Sequence, residues 1–85
     1  MISEYLDWTV LNKVRALMQE AIPELDGQIS GETILNEAGF DTYAMDLLRP
    51  LLEEHFSVLI SNSELDSFKT VADIVHFIRS RSRKL

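Results

Sequence analysis

The sequence contains no cysteine, which removes disulfides, thiolate zinc sites, iron–sulfur ligation and cysteine nucleophiles together. A small chain without cross-links has to be stabilised by side-chain packing alone. No apolar run approaches the roughly 20 residues that cross a bilayer. The opening Met1-Ile2-Ser3-Glu4-Tyr5 lacks the basic-then-apolar pattern of a secretion signal. These absences predict a cytoplasmic protein that does not act on membranes, and the missing disulfides agree. Glycine is scarce. Gly27, Gly31 and Gly39 are too scattered to form a phosphate-binding loop or a dinucleotide fingerprint. Histidine is scarcer still. His55 and His76 stand far apart without thiol neighbours, whereas a metal centre needs three or four converging ligands. No metal and no catalytic residue is expected. Glu53-Glu54 is a poor catalytic pair, because adjacent residues on a helix point about 100° apart. It reads instead as part of a solvated acidic face.

The chain has 85 residues, of which 46% are hydrophobic, enough for one compact domain spanning residues 1–85. Its net charge of −6 is unevenly spread. Residues 1–68 carry 13 acidic and 3 basic side chains, while residues 69–85 carry 5 basic and 1 acidic. The acidic body repels nucleic acid and attracts proteins with basic docking surfaces. The basic run Arg79-Ser80-Arg81-Ser82-Arg83-Lys84 has no interleaved aromatics, so it reads as a solvated helix end that complements the helix dipole.

Apolar spacing predicts helices throughout. Ile2, Tyr5, Leu6, Thr9, Val10, Val14, Leu17, Met18, Ala21 and Ile22 recur at intervals of three and four, one face of a helix from Ser3 to Ala21. Ser3 is its expected N-cap and Pro23 its stop. Trp8 falls off the stripe and is expected to cover the edge of the core, with a partner contact as the alternative. Residues 23–40 form a long loop, which is unusual in a compact domain, with Ile34, Leu35 and Phe40 expected to pin it down. A second helix follows Asp41 as N-cap, with Met45, Leu48, Leu51, Leu52 and Phe56 facing inward. Pro50 within it predicts a kink or a break into two pieces. Ser61-x-x-Glu64 and Thr70-x-x-Asp73 are capping boxes. The first opens a short helix with Leu65 and Phe68, and the second a helix with Val71, Ile74, Val75 and Ile78 inward. The fold class is all-α, a four-helix bundle of three main helices and one short one with a long first loop.

Two stretches carry a further signal. Ala38-Gly39-Phe40-Asp41-Thr42-Tyr43, followed by a helix ending Leu52-Glu53-Glu54-His55-Phe56, resembles the acyl carrier protein family. In that family the loop before helix two closes with Gly-x-Asp-Ser-Leu. The helix then runs to Leu-Glu-Glu-x-Phe, and an isoleucine follows four residues later. Phe56 and Ile60 keep that spacing, and Thr70-Val71-Ala72-Asp73-Ile74-Val75-His76-Phe77-Ile78 looks like the family's last helix. The resemblance implies a non-enzymatic carrier. Its 4′-phosphopantetheine arm would hang from a hydroxyl at the start of helix two, beside Asp41, and would bring the reactive sulfur that the chain lacks.

The chain departs from that pattern at the attachment point. Thr42 stands where the family has its serine, and Tyr43 replaces the following leucine. The methyl on the Thr42 β-carbon crowds the in-line approach of its oxygen to phosphorus, and small misplacements of a nucleophile are costly. Ser57, Ser61 and Ser63 do not follow the loop and are no substitute. Helix two is also altered as a docking surface. Asp46, Glu53 and Glu54 keep acidic character, Ala44 and Leu47 fall where the family is often acidic, and Arg49 adds a cation. Tyr43, Asp46, Leu47, Arg49, Glu53 and Glu54 are the expected partner-binding residues. The sequence-based expectation is an acyl-carrier-like protein of a fatty-acid or polyketide type pathway, degenerate at Thr42 and acting by protein binding. Its alternative is a working carrier loaded on Thr42.

Overall fold

The computed structural model describes residues 8–25 and 28–81. Among them are four helices: α1 (Trp8–Ala21), α2 (Thr42–Phe56), α3 (Asn62–Ser67) and α4 (Val71–Arg81). The expected start of the first helix, with Ser3, Ile2, Tyr5 and Leu6, lies outside the described residues. From Trp8 onward α1 presents Val10, Leu11, Val14, Leu17 and Met18 to the core. Two details differ from the expected stripe. Leu11 is buried and Thr9 is exposed, because the buried arc of α1 packs against both α2 and α4 and so extends past one strict row. Trp8, expected to shield the core edge, is 64% exposed.

The core is assembled from the three longer helices and the first loop, with Val58, Ile60, Leu65 and Phe68 added by the segment after α2 and by α3. Val14 and Met18 of α1 meet Leu48 and Leu52 of α2 and Ile74, Val75 and Ile78 of α4, all inaccessible to solvent. The loop adds Ile29, Leu35 and Phe40. Ile34 is 44% exposed, so the loop is not anchored by its side chain as expected. Its backbone is used instead. Ile34 and Thr70 form an isolated antiparallel bridge, with the Leu35 N–H donating to the Lys69 carbonyl at 2.9 Å. The Val71 and Ala72 N–H groups donate to the carbonyls of Thr33 and Gly31 at 3.1 and 2.8 Å. The first amides of α4, which have no partner within their own helix, are thus satisfied by the long loop.

Both capping boxes are formed. Ser61 Oγ accepts from the Glu64 N–H at 3.1 Å while Glu64 Oε1 accepts from the Ser61 N–H at 3.0 Å. At α4, Asp73 Oδ2 accepts from the N–H groups of Lys69 and Thr70 at 2.8 and 3.0 Å, and Thr70 Oγ1 accepts from the Asp73 N–H at 3.3 Å. Arg79 and Arg81 lie in the last turn of α4, where cations complement the helix end. The Arg81 guanidinium also pairs with Glu64 and lies 4.6 Å from the Phe77 ring centroid.

Of the two outcomes expected at Pro50, the break does not occur. α2 is one helix from Thr42 to Phe56 with Pro50 inside it, not two pieces. The proline ring faces solvent, and the buried Leu48 and Leu52 on either side hold the helix together across the missing hydrogen bond.

Candidate functional site

The start of α2 is built by three local devices. Residues 35–39 form a turn in which the Phe40 N–H donates to the Leu35 carbonyl at 2.9 Å, and Gly39 takes a φ of +101° to leave it. Few other residues adopt that geometry without strain. Asp41 then caps the helix, its Oδ1 accepting the Ala44 N–H at 3.0 Å. Thr42 follows as the first helical residue, exposed at the helix N-terminus.

Thr42 opens onto a cleft of about 310 Å³ between α2, the first loop and α3. Leu35, Phe40, Met45, Leu65 and Phe68 contribute its apolar walls, and all five are otherwise buried. Asp41, Thr42, Asp46, Asp66 and Lys69 contribute polar atoms around it. Asp66 and Lys69 were missed in the sequence. They lie more than 20 residues from Thr42, and no local pattern links a short helix to the start of another.

The solvent face of α2 divides into two rows. Tyr43, Leu47, Pro50 and Glu54 fall on one, at spacings of three and four. Tyr43 is 72% and Leu47 41% exposed, so the row is largely apolar. Thr42, Asp46, Arg49 and Glu53 fall on the neighbouring row. Two of those charges are turned inward on the protein itself. Glu53 Oε2 accepts the Ile60 N–H at 2.9 Å, and the Arg49 guanidinium donates to the Ile60 carbonyl at 3.3 Å and to Asn62 Oδ1 at 2.8 Å. Glu53 is therefore half-buried and structural, in contrast to the solvated face expected of the Glu53-Glu54 pair, whereas Glu54 is exposed. In the segment that this clamp ties to α2, Val58 and Ile60 are buried and Leu59 between them is 82% exposed. Leu59 was also missed; an alternating segment this short carries no distinctive spacing.

Among the described residues, no group of three or more histidine, cysteine, aspartate or glutamate side chains is placed to hold a metal ion, and no helix is long and apolar enough to cross a membrane. His55 and His76 are exposed.

Comparison with known proteins decides the family. Over 73 residues the chain is 30% identical to the acyl carrier protein of Borreliella burgdorferi strain ZS7, an alignment covering 85% of this chain and 91% of the relative. The same identity and coverage hold for the acyl carrier protein of B. burgdorferi strain ATCC 35210 and for that of Borrelia garinii subsp. bavariensis. The chain belongs to the acyl carrier protein family. No family model matches it. For an acyl carrier protein the helical architecture is as expected. Phosphopantetheine is the prosthetic group typical of the family, and Thr42 lies at the helix start where the resemblance puts the attachment hydroxyl.

Proposed function

We propose that residues 1–85 act as one acyl-carrier-like domain, degenerate at the prosthetic-group site, that works in the cytoplasm by binding proteins in or near an acyl-chain pathway of the fatty-acid or polyketide type. The observation that carries this reading is the substitution at the head of α2. A secondary hydroxyl, Thr42, stands there with Tyr43 exposed behind it. In this reading the chain is not itself an enzyme and binds neither nucleic acid nor membrane.

The residues present fit a phosphopantetheine arm in part. The Thr42 side chain is solvent-exposed and its helix end favours a phosphodiester. Against it stand the hindering β-methyl and the Asp46 carboxylate one turn along the same face, which repels the phosphate. When attached, the arm would supply a thiol that carries an acyl group as its thioester. Thr42 would hold it, and Asp41 would orient the helix end beneath it.

Partner docking is assigned to α2. Tyr43 and Leu47 offer apolar contact, and Asp46 and Glu54 offer carboxylates to a basic surface. Arg49 and Glu53 support the adjoining segment, so their contribution to a partner is indirect.

The second reading is a working carrier modified on Thr42, favoured by the exposure of that residue. Intact mass separates the two. Protein purified from its natural host is expected without an arm. Incubation with coenzyme A and a broad-specificity phosphopantetheinyl transferase is expected to leave the wild type unmodified and to load Thr42→Ser. A holo form of the natively produced protein would sink the leading reading.

A further inference from the structure

Charge along the chain is segregated more sharply than its net value of −6 conveys. Residues 20–68 hold 11 acidic side chains and the single base Arg49, whereas residues 8–19 hold Lys13 and Arg15 and no acid. That acid-free stretch is nearly the whole of α1; Asp7 precedes it, outside the described residues. The helix packs one side against α2 and α4. Its other side leaves Trp8, Asn12, Lys13, Ala16 and Gln19 exposed. Trp8, Asn12, Arg15 and Gln19 are spaced by four, three and four residues, so they share one row. Trp8, the only tryptophan of the chain, heads that row and is 64% exposed. The Arg15 guanidinium, about 10 Å further along the axis, reaches back to Asn12 Oδ1 at 3.5 Å. Lys13 is exposed on the adjoining row. A lone exposed tryptophan is ordinary. One aligned with two cations, on the acid-free face of an acidic chain, is not.

From this juxtaposition we propose that the outer face of α1 is a docking surface for an acidic segment of a partner protein. An apolar seat on that segment takes the Trp8 indole, and its carboxylates meet Lys13 and Arg15. Tryptophan is among the side chains that carry most of an interface's affinity when buried, while the charges around it steer encounter and select the partner. Charge complementarity fixes the location. A carboxylate-rich segment is repelled by residues 20–68 and finds opposite charge on α1. Nucleic acid and anionic lipid also offer negative charge, but as dense phosphate. Two cations on a chain of net charge −6 do not offset that repulsion. The face lies on a different helix from Tyr43 and Leu47 and takes a partner of the opposite charge. It therefore adds a second surface to the protein-binding reading and does not depend on whether Thr42 is loaded.

The test uses the full chain and helical peptides built on alanine: one with four glutamates flanking two leucines, one with those leucines replaced by alanine, and one with the glutamates replaced by lysines. Because Trp8 is the only tryptophan, its emission reports this face alone. The first peptide is expected to shift that emission to shorter wavelength and to protect it from acrylamide, and the leucine-free peptide to do neither. With a fluorescein label on the first peptide, anisotropy should show saturable binding that Trp8→Ala weakens by about tenfold or more, as for an interface anchor. Lys13→Gln with Arg15→Gln should weaken it by about two- to fivefold, the scale of exposed charge pairs. Gln19→Lys, which adds a cation to the same row, should tighten it by about two- to fivefold, a gain that misfolding cannot imitate. Indifference of binding to these variants, or a Trp8 signal that the first peptide leaves unmoved, would overturn the inference. So would a Trp8 shift produced by the lysine peptide, by a single-stranded oligonucleotide or by anionic phospholipid vesicles but not by the glutamate peptide. A Trp8 shift that grows with the concentration of the chain alone would assign the face to a second copy and overturn it as well. An arm on Thr42 would remove the degenerate reading and leave these measurements unchanged, so the two fail separately.

Discussion

Glu53 and Ile60 are joined by a hydrogen bond of 2.9 Å from the Ile60 backbone N–H to the Glu53 carboxylate, while Arg49, one turn earlier on α2, holds the Ile60 carbonyl. One residue of the connection thus has both backbone groups occupied by side chains of the preceding helix. Two charges that the sequence assigns to a docking surface are engaged in shaping the surface beside it. Glu53→Ala is expected to lower stability by about 1–2 kcal/mol, since it leaves a part-buried N–H without its charged acceptor. Arg49→Ala should cost less than the sum of the two when combined with it, because both grip the same residue. Urea unfolding of the two single variants and the double variant measures that coupling; strict additivity would count against a shared clamp.

Pro50 gives a prediction of opposite sign. Its ring is exposed and the helix runs through it, so nothing in the packing requires proline there. Pro50→Ala restores a donor to the Asp46 carbonyl and should raise stability by about 1–3 kcal/mol. Thermal unfolding followed by circular dichroism reads the change. A fall in stability would mean that the proline has a role that its exposed position does not reveal.

Among the described residues two hold left-handed backbone, and they should answer oppositely to substitution. Gly39 has φ +101°, and a Cβ there would meet the Ile22 Cδ1 at an ordinary 3.9 Å. The cost of Gly39→Ala is therefore conformational rather than steric, about 1–2 kcal/mol. Ser57, at the end of α2, has φ 57° and ψ 46°. Ser57→Gly relieves the Cβ penalty and is expected to stabilise by up to about 1 kcal/mol. Paired denaturation curves of the two variants test the assignment.

Acid sensitivity should centre on the caps of α3 and α4. For Asp73, burial works to raise the pKa, but hydrogen bonds from the Lys69 and Thr70 N–H groups and the Thr70 hydroxyl outweigh it, and the carboxyl lies below its usual 3.8. For Glu64 the Ser61 N–H, followed by Arg81, holds the carboxyl below its usual 4.5. A lowered folded-state value means that the native state binds the proton less readily than the unfolded one. The stabilisation is complete above those usual values and is lost as pH falls through the lowered ones. Stability against urea should decline below the usual 4.5 and 3.8 of the two groups, and Asp73→Asn should flatten part of that decline. An unchanged pH profile in the variant would remove Asp73 from the account.

Leu47 and Leu48 are neighbours in sequence with opposite fates. Leu48 is fully buried, and Leu48→Ala is expected to cost about 2–5 kcal/mol. Leu47 is 41% exposed, so Leu47→Ala should change stability by less than about 0.5 kcal/mol while weakening capture of protein partners. Comparing unfolding with pull-down yield from host extract separates the two effects. Equal destabilisation by both variants would mean that Leu47 belongs to the core.

Much of the fold is legible in the sequence because its signals are local. Helical periodicity placed α2 and α4, with Met45, Leu48, Leu52 and Phe56 on one and Val71, Ile74, Val75 and Ile78 on the other. Ser61 and Thr70 each found a carboxylate three residues ahead, within reach of a single turn. The family signature around Asp41 and Thr42 is local in the same sense. What escaped is what side-chain pattern does not encode. Ile34 reads as an anchor by its hydrophobicity, yet the anchoring is done by the backbone of its loop against α4. Glu53 reads as solvated because its helix position faces outward, until the segment after the helix folds back over it.

The sequence by itself determined α2, α3 and α4, their N-caps and the hydroxyl at the head of α2, because each depends on contacts within a turn or two of chain. Only the tertiary structure decided that Thr42 borders a cleft with Asp66 and Lys69, that Arg49 and Glu53 serve Ile60, and that Tyr43, Leu47 and Leu59 face outward. Those relations join residues distant in the chain. They exist only after α1, α2 and α4 have closed the core and fixed which side of each helix is left to solvent.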